Sequence, residues 1–222
     1  MTGDPMVAEM AHIFLTDAQE MSPSAREEEP ADYFAILVTR ACAGDAPAFE
    51  RIMLATEQRV VSIAWRMLGN RDDARDATQE VYLRVFKYLG RFRAGEDFRG
   101  WLYRITINVC HDFARKRRAT SLTQFQDVEL DRVGEGFDVA RRGESPETLA
   151  LHAQQLALVR RALESLPVKE RSALVLRDLE GFSTEEVARV LGSRPVTVRS
   201  QVSSARAKIK TYCDRVLRKG GG

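Results

Sequence analysis

The chain has 222 residues and a mass of 25.0 kDa, with 44% of its residues hydrophobic and 30% charged. This balance suits one or two small soluble domains, and no apolar run approaches the ~20 residues of a membrane span. Cys42, Cys110 and Cys213 are far apart and have neither metal-ligand nor disulfide-framework spacing. We therefore expect free thiols, no metal, no cofactor and a cytoplasmic location.

The net charge of +2 conceals an uneven distribution of charge. Residues 1–31 carry seven acids and one base, residues 87–118 carry nine bases and three acids, and residues 145–222 carry fourteen bases and eight acids. Two basic blocks separated by acidic stretches predict two surfaces for a polyanion. Two solvated charged faces are the alternative that charge alone leaves open.

The first 31 residues contain three prolines and a triple glutamate, which predicts a flexible acidic extension. Four helices are then predicted between Tyr33 and Arg118. The first two are separated around Gly44 to Pro47, with Asp45 as an N-cap. Stripes of apolar residues predict the buried faces of the next two helices: Ala74, Ala77, Val81, Val85 and Leu89 in the third, and Leu102, Ile105, Val109 and Phe113 in the fourth.

Residues 119–144 lack the helical spacing of apolar residues and contain three glycines, which predicts a linker. A helix is expected to start at Ser145-Pro146 and to stop at Pro167. Its predicted buried residues are Leu149, Leu156, Val159, Leu163 and Leu166.

The last part of the chain predicts three more helices, of which "VKERSALVLRDLEG" is the first. Ser183 and Glu186 form a predicted capping box for the second, and Gly192 ends it. The third is expected from about Pro195 to Tyr212. No segment shows the alternation of apolar and polar residues that is typical of a strand. The predicted fold is therefore all-α, with two small helical domains joined by a flexible linker.

Residues 183–209 have the pattern of a helical hairpin whose second helix reads DNA. Its apolar residues recur on one face and are expected to pack inward: Val198, Val202, Ala205 and Ile209. Short polar and guanidinium side chains then face outward, as a helix in the major groove requires. The candidates are Arg194, Thr197, Arg199, Ser200, Gln201, Ser203, Ser204 and Arg206. The alternative is an ordinary hairpin with a solvated polar face.

The basic block at residues 88–118 interleaves aromatic rings with arginines. This pattern favours single-stranded nucleic acid, because unstacked bases gain roughly 1–3 kcal/mol each by stacking on aromatic faces. The candidates are Arg91, Phe92, Arg93, Phe98, Arg99, Trp101, Arg104, Asn108, His111 and Arg115. The alternative is a core role for the rings, which is favoured for Trp101 and Phe113 taken singly and evenly balanced for Phe92 and Phe98.

The segment "DARDATQE" opens the third predicted helix with an acidic outward face. That face consists of Asp73, Asp76, Gln79, Glu80 and Leu83. DNA would repel it, so a protein with a basic surface is the expected ligand. The alternative is a solvated face in which Glu80 pairs with Arg84 four residues on.

These three motifs, in this order, resemble the extracytoplasmic-function (ECF) group of bacterial sigma factors over residues 33–212. "DARDATQEVYLRVF" is similar to the helix of region two, and "WLYRITINVCHDFARKRR" to the pattern Trp-Leu-x-x-Ile-x-x-Asn-x-x-x-Asp-x-x-Arg. "LPVKERSALVLRDLEGFSTEEVARVLG" followed by "TVRS" is similar to region four. The resemblance implies an extension at 1–31, region two at 32–118, a linker at 119–144, region four at 145–217 and a tail at 218–222.

The resemblance also implies a non-enzymatic initiation factor that brings core RNA polymerase to promoters. Asp76, Gln79 and Glu80 would dock on the clamp helices of the beta-prime subunit, and the beta flap would be a further contact. The loop from Gly90 to Arg99 would capture a flipped base of the minus-ten element in single-stranded DNA, and the helix after it would read the adjoining bases. In the duplex, the minus-thirty-five element would be contacted by Arg199, Ser200 and Ser203. An anti-sigma factor is the implied regulator.

Two departures from the family pattern affect the upstream DNA contact. Val196 stands where the family often has glycine, and Gln201 and Ser204 stand where arginine is usual. The sequence of the upstream element therefore cannot be inferred from family habit. Two other classes remain as hypotheses: a stand-alone DNA-binding regulator, and, as the weakest, an enzyme, for which no phosphate loop or nucleophile–base pair appears.

Overall fold

The computed structural model describes residues 31–93, 96–123 and 157–220, and within these ranges it contains helices and no strand. The N-terminal bundle consists of α1 (Ala31–Cys42), α2 (Ala46–Leu68), α3 (Arg71–Tyr88), a 3₁₀ turn (Leu89–Arg91) and α4 (Phe98–Thr123). The C-terminal bundle consists of α5 (157–164), α6 (Val168–Leu174) with a π-helical turn (Val175–Leu179), α7 (Thr184–Leu191) and α8 (Pro195–Gly220). The predicted all-α fold is confirmed.

Local signals in the sequence fix the ends of several helices. Asp45 caps α2 by accepting a 3.2 Å hydrogen bond from the Ala48 N–H. Gly69 ends the same helix in the left-handed region at φ 71°, where a residue with a Cβ is strained. At α7, the Ser183 hydroxyl accepts from the Glu186 N–H, and the Glu186 carboxylate accepts from the Ser183 N–H. The caps predicted at Asp45 and at Ser183 with Glu186 are confirmed, because they depend on neighbours in the chain.

The predicted apolar stripe of α3 is buried along its whole length. In α4, Leu102 and Val109 are fully buried, whereas Ile105 and Phe113 are only half-buried. Buried residues of α4 also lie outside the predicted stripe: Tyr103, Thr106, Ile107 and Cys110. The single-stripe prediction for α4 is incomplete because this helix packs on α2 and α3 on one side and on α7 on another.

The two helical bundles pack directly against each other, and their buried apolar residues form one continuous cluster. Tyr103 of α4 meets Phe182 of the C-terminal bundle edge to face, with ring centroids 5.2 Å apart. The π-helical turn after α6 contacts α2, and α7 contacts α4. The sequence predicted two domains on a tether, and packing between them is a finding of the structure.

Several predicted boundaries differ from the structure. α4 continues to Thr123, five residues into the predicted linker, because the glycines of that segment begin only at Gly134. α8 continues to Gly220, beyond the predicted end at Tyr212. The acidic extension, most of the linker and the start of the helix expected at Ser145 lie outside the described residues. No helix in the described part of the chain is long and apolar enough to cross a membrane.

The capping box of α7 yields a stability prediction. Ser183→Ala removes the hydroxyl that accepts from the Glu186 N–H, and we expect it to cost about 1 kcal/mol of unfolding free energy in a urea titration. The matched control is Ser200→Ala on the exposed side of α8, which should leave stability unchanged or slightly raised because Ala favours helix. An equal loss in both variants would contradict the capping role.

Candidate nucleic-acid interface

The acidic face of α3 divides into an exposed stripe and an internally paired part. Asp76 and Gln79 are exposed, and Leu83 is 66% exposed although it is apolar. Glu80 instead accepts a 2.7 Å hydrogen bond from Arg84, the intrahelical pair that the sequence left as an alternative. Asp73 lies 3.6 Å from Arg117 of α4.

The exposed stripe of α3 extends to Phe86, which sequence reasoning missed. This ring is 64% exposed and lies one turn beyond Leu83, so the two form an apolar pair at i and i+3. Its inner edge packs on Phe49 at a centroid distance of 5.3 Å, which holds the ring in place. Large apolar side chains grouped on a surface indicate a protein contact. The i,i+3 spacing from Leu83 is the signal that could have identified Phe86.

The aromatic residues around the turn between α3 and α4 pack chiefly on one another. Phe92, Phe98 and Trp101 have pairwise centroid distances of 5.3 to 5.6 Å, and Phe34 of α1 adds an edge contact to Phe98. Phe98 is buried, so the expectation that its ring stacks on bases is wrong for this conformation. Phe92 and Trp101 are half-buried, and each keeps part of its ring at the surface.

Exposed guanidinium groups surround this aromatic cluster. Arg91 lies over the Tyr88 ring at 5.7 Å, and Arg99 over the Phe34 ring at 5.3 Å. Arg93 is also exposed. Cation–π contacts hold two of these side chains near the rings while leaving their N–H groups directed to the surface. The result is a positive rim with partly accessible aromatic edges.

The outward face of α4 is only partly open to solvent. Arg104 donates from Nε to the Val190 carbonyl at 3.2 Å and from Nη2 to the Arg189 carbonyl at 3.0 Å. These carbonyls belong to the last turn of α7, where helical carbonyls lack partners within the helix. Asn108 is exposed, and Arg115 pairs with Asp112 at 2.8 Å. Arg104 thus remains exposed but is engaged with the end of α7 in this arrangement, and its contact with DNA stays a prediction.

His111, on the same face, contacts α6 of the C-terminal bundle. Its Nε2 lies 2.9 Å from the Ser172 hydroxyl oxygen. That hydroxyl donates to the Val168 carbonyl at 2.8 Å, so the imidazole donates from Nε2–H. Burial lowers the pKa of His111 below its ordinary value of 6.5, with Lys169 adding to the effect and Asp112 opposing it. The ring is thus neutral at pH 7 and is engaged between the bundles.

The predicted back of α8 is confirmed, since Val198, Val202 and Ala205 are buried and Ile209 packs against the core. The exposed candidate residues on the other side are Arg194, Thr197, Arg199, Ser200 and Ser203. Among them, the Arg199 guanidinium lies 3.8 Å from the exposed Glu185 carboxylate. Such an exposed pair is weak and leaves the arginine available.

The other three α8 candidates differ in exposure: Gln201 and Ser204 are half-buried beside the buried stripe, whereas Arg206 is exposed and ion-paired. Ser204 donates a 3.2 Å hydrogen bond to Glu170 of α6. Arg206 makes a two-pronged contact with Asp178 at 2.7 and 2.8 Å, and this hydrogen bonding raises the pKa of the guanidinium. The Oε1 of Gln201 is buried and lacks a hydrogen-bond partner among the described residues.

A cavity of about 360 Å³ lies between the bundles and joins the two candidate DNA faces. It is lined by residues from α4, α6, the end of α7 and the start of α8, among them Arg104, Asn108, His111, Lys169, Thr197 and Gln201. The side chains predicted to read two separate DNA elements therefore meet in one cleft.

The comparisons with known sequences cover both bundles. The sequence matches the Sigma-70 region 2 family over residues 52–120 and the Sigma-70 region 4 family over residues 156–209. It is 33% identical over 205 residues to the ECF RNA polymerase sigma factor SigE of Mycolicibacterium smegmatis, with 91% of this chain and 75% of that protein covered. It is 35% identical over 185 residues to the RNA polymerase sigma-H factor of Pseudomonas aeruginosa, with 82% and 94% covered.

Solved structures agree with these sequence relationships. The fold is similar to that of CnrH, solved in complex with the cytosolic domain of CnrY, with a TM-score of 0.60, 25% identity, and 82% of this chain and 97% of that chain covered. It is also similar to the sigma factor RpoE of Bartonella quintana, solved with the anti-sigma factor NepR, with a TM-score of 0.58, 23% identity, and 75% and 96% covered. Matched regions, relatives and fold together assign the chain to the ECF family of RNA polymerase sigma factors.

Proposed function

We propose that the chain binds core RNA polymerase, directs it to specific promoters and helps to open the DNA, without covalent chemistry of its own. The observation that carries this proposal is that one chain combines an exposed acidic and apolar stripe on α3 with two basic faces on α4 and α8. A factor that joins a protein to DNA needs surfaces of both kinds. We further propose that it acts in the cytoplasm, where the polymerase and the promoter are found.

The α3 stripe is the proposed polymerase-docking surface. Asp76 and Gln79 supply the polar contacts, and Leu83 with Phe86 supplies apolar area. A partner with a basic rim and an apolar groove fits this combination, and the clamp helices of the beta-prime subunit are the partner that family membership implies. Asp73 and Glu80, which already have ion pairs with Arg117 and Arg84, are proposed to support the stripe.

The surface around the aromatic cluster is the proposed minus-ten contact. Arg91, Arg93 and Arg99 provide positive charge for the phosphates, while Phe92 and Trp101 offer partly exposed rings to an unstacked base. Unpairing and unstacking a base costs a few kcal/mol, which a preformed aromatic and cationic pocket can offset. Arg104, Asn108 and His111 would extend this surface along α4 once the C-terminal bundle has moved away.

The exposed side of α8 is the proposed minus-thirty-five contact in duplex DNA. Thr197, Arg199, Ser200 and Ser203 project from the first turns of the helix, which suits entry into the major groove. Arg194 precedes the helix and fits a phosphate contact. Ser204 is half-buried and bonded to Glu170, so we propose that it positions the helix on α6 rather than reading bases, while half-buried Gln201 lines the cavity between the bundles.

We also propose that an anti-sigma factor controls the protein. The solved relatives CnrH and RpoE were determined in complex with CnrY and with the anti-sigma factor NepR, respectively. Residues 32–118 and 145–217 are proposed as the two functional domains. Linking two modest DNA contacts in one chain raises their combined affinity through effective concentration.

Run-off transcription on a promoter library tests this function. With core polymerase, the chain should produce transcripts from a subset of templates that share two sequence elements. Without the chain, core polymerase should not produce transcripts from those templates. If the chain neither co-purifies with core polymerase nor changes template choice, but binds duplex operators alone, it is a stand-alone regulator and the proposal is wrong.

The docking stripe yields a charge-reversal prediction. Asp76→Lys places a positive charge against a basic partner, and we expect core binding to weaken by about tenfold or more in fluorescence anisotropy. Helix content should be unchanged because Asp76 is exposed. Glu57→Lys, an exposed acid on α2, is the matched control and should bind as the wild type does. Equal weakening in both variants would point to net charge instead of a specific surface.

The α8 face yields a prediction that separates base from phosphate contacts. Arg199→Ala should reduce binding to the upstream element by roughly 1–3 kcal/mol and relax its base preference if the guanidinium reads a base. If it contacts phosphate, affinity should fall uniformly across sequences and the salt slope should decrease by about one. The control Arg215→Ala, exposed near the other end of α8, should change neither quantity.

A further inference from the structure

We propose that Val196, the exposed apolar side chain at the start of α8, is a specificity-determining residue that reads the methyl group of a thymine in the upstream duplex element. This inference deepens the proposed function and rests on its assignment of α8 to the minus-thirty-five contact. It adds recognition of a methyl group to a surface whose other candidate residues offer charge and hydrogen bonds.

Val196 is an apolar side chain that packing within the chain leaves in water. It is 70% exposed, more than any other large apolar side chain in the described part of the protein. It lies outside the apolar cluster that the two bundles share, whereas Val198 is fully buried in that cluster. The cavity between the bundles is lined by Thr197 and Gln201 of α8 and not by Val196. Neither the core nor the cavity therefore accounts for a branched apolar residue at this position.

The helical period places Val196 on the side of α8 that points away from the core. At about 100° per residue, it lies roughly 140° from the mean direction of the buried Val198 and Val202. Ser200 follows at i+4 and Ser203 at i+7, so both share its face, and all three are exposed. The face that α8 offers to a groove thus begins with an apolar tip and continues with two hydroxyls.

The neighbours of Val196 fit a nucleic acid better than a protein surface. Arg194 is exposed two residues before it, and the Arg199 side chain, 64% exposed, lies about one turn after it. Within the described part of α8, no other large apolar side chain is exposed. Surfaces that bind proteins group several such side chains, as Leu83 and Phe86 do on α3. A single apolar side chain between two arginines instead suits a methyl group that lies between phosphates.

Thymine is the natural target for such a side chain in the major groove. Among the four standard bases it alone presents a methyl group there, and apolar contact is the means by which proteins read that group. Hydroxyl and guanidinium groups bond to the polar edges of bases and do not sense the methyl. Burying one methyl group is worth roughly 0.8 kcal/mol, which corresponds to about fourfold in affinity.

The start of α8 holds Val196 ready for this contact. Pro195, with its restricted φ, occupies the first helical position, and the Val198 N–H donates to the Arg194 carbonyl at 3.1 Å. A β-branched side chain in a helix has one strongly preferred rotamer, so little rotamer freedom is lost on binding. Its Cα–Cβ bond also tilts toward the N-terminus of the helix, which is the end that enters the groove.

Replacing thymine by deoxyuridine tests the methyl contact, because it removes the methyl group and leaves the hydrogen-bonding groups of the base in place. Each thymine of an upstream element recovered from the run-off library is replaced in turn. Fluorescence anisotropy then measures promoter binding by the holoenzyme that the full-length chain forms with core polymerase. We expect one position at which deoxyuridine weakens wild-type binding about fourfold. A wild type that tolerates deoxyuridine at every position overturns the inference.

The variant Val196→Ala identifies the side chain responsible. It should bind the thymine and deoxyuridine promoters almost equally, and both about as weakly as the wild type binds the deoxyuridine one. In the run-off library, its preference for thymine at that position should be lost while the other positions keep theirs. A deoxyuridine effect of equal size in the wild type and in Val196→Ala refutes the role of Val196.

A second probe isolates the methyl group from the rest of the thymine base. At the same position, a cytosine is compared with 5-methylcytosine, which differs from it only by the methyl group. The wild type should prefer the methylated base by up to about fourfold, and Val196→Ala should not distinguish the two. If Thr197→Ser loses the preference and Val196→Ala keeps it, the neighbouring threonine makes the contact and the inference is wrong.

Folding does not complicate these comparisons. Val196 is exposed and Ala favours a helix more than Val does, so Val196→Ala should unfold in urea at the same or a slightly higher midpoint. The matched control is Ile36→Ala, which removes an apolar side chain that is 54% exposed on α1. It should retain the full deoxyuridine effect. Equal loss of that effect in both variants would show that it does not arise from α8.

The alternative occupant of this site is a protein surface. If Val196→Ala weakens binding to core polymerase and leaves every base preference unchanged, Val196 contacts the polymerase and the inference is wrong. If run-off transcription is promoter-specific but no thymine methyl is sensed, the proposed function stands and this inference fails. If run-off transcription itself fails, the proposed function is wrong and this inference falls with it.

Discussion

A carboxylate removed from water requires positive charge beside it, and Glu180 has two guanidiniums within reach. Arg59 and Arg66 lie two turns apart on α2, so that helix fixes their spacing, while the π-helical turn fixes the approach of Glu180. Removing one partner of such a cluster costs about 3–5 kcal/mol, because the remaining charge is left buried and unpaired. The contact therefore sets the register between the two bundles, and the shared core forms around that register.

The same contact explains why the functional faces differ in accessibility. The α3 stripe lies away from the interface and remains open, whereas on the α4 face Arg104 bonds to the end of α7 and His111 is half-buried against α6. Buried ion pairs contribute less net stability than apolar packing, since desolvation offsets much of their attraction. The interface therefore gains its stability from the shared apolar cluster and the specificity of its geometry from arginines bonded to carbonyls and a carboxylate.

Residue patterns along the chain predicted the helices, their caps and the back of the DNA-reading helix. Asp45, Ser183 and Gly192 act on their immediate neighbours, so their roles follow from spacing alone. The partner of Arg66 could not be found in this way, because Glu180 is 114 residues away and no local period relates them.

The sequence left the roles of the aromatic residues in the candidate minus-ten surface ambiguous for a related reason. A ring in a loop can stack on a base or on another ring, and packing with Phe34 decided for Phe98.

The sequence by itself determined the all-helical fold, the order of the two regions, the membership of the ECF sigma factor family and the side of each helix that carries polar residues. These depend on helical period, capping chemistry and motif spacing, all of which are written in consecutive residues. Only the tertiary structure decided that Arg104 and His111 face another bundle, and that Gln201, Ser204 and Arg206 are held by their surroundings. The reason is physical: a side chain's exposure depends on which distant surface packs over it, and that is a property of the whole fold.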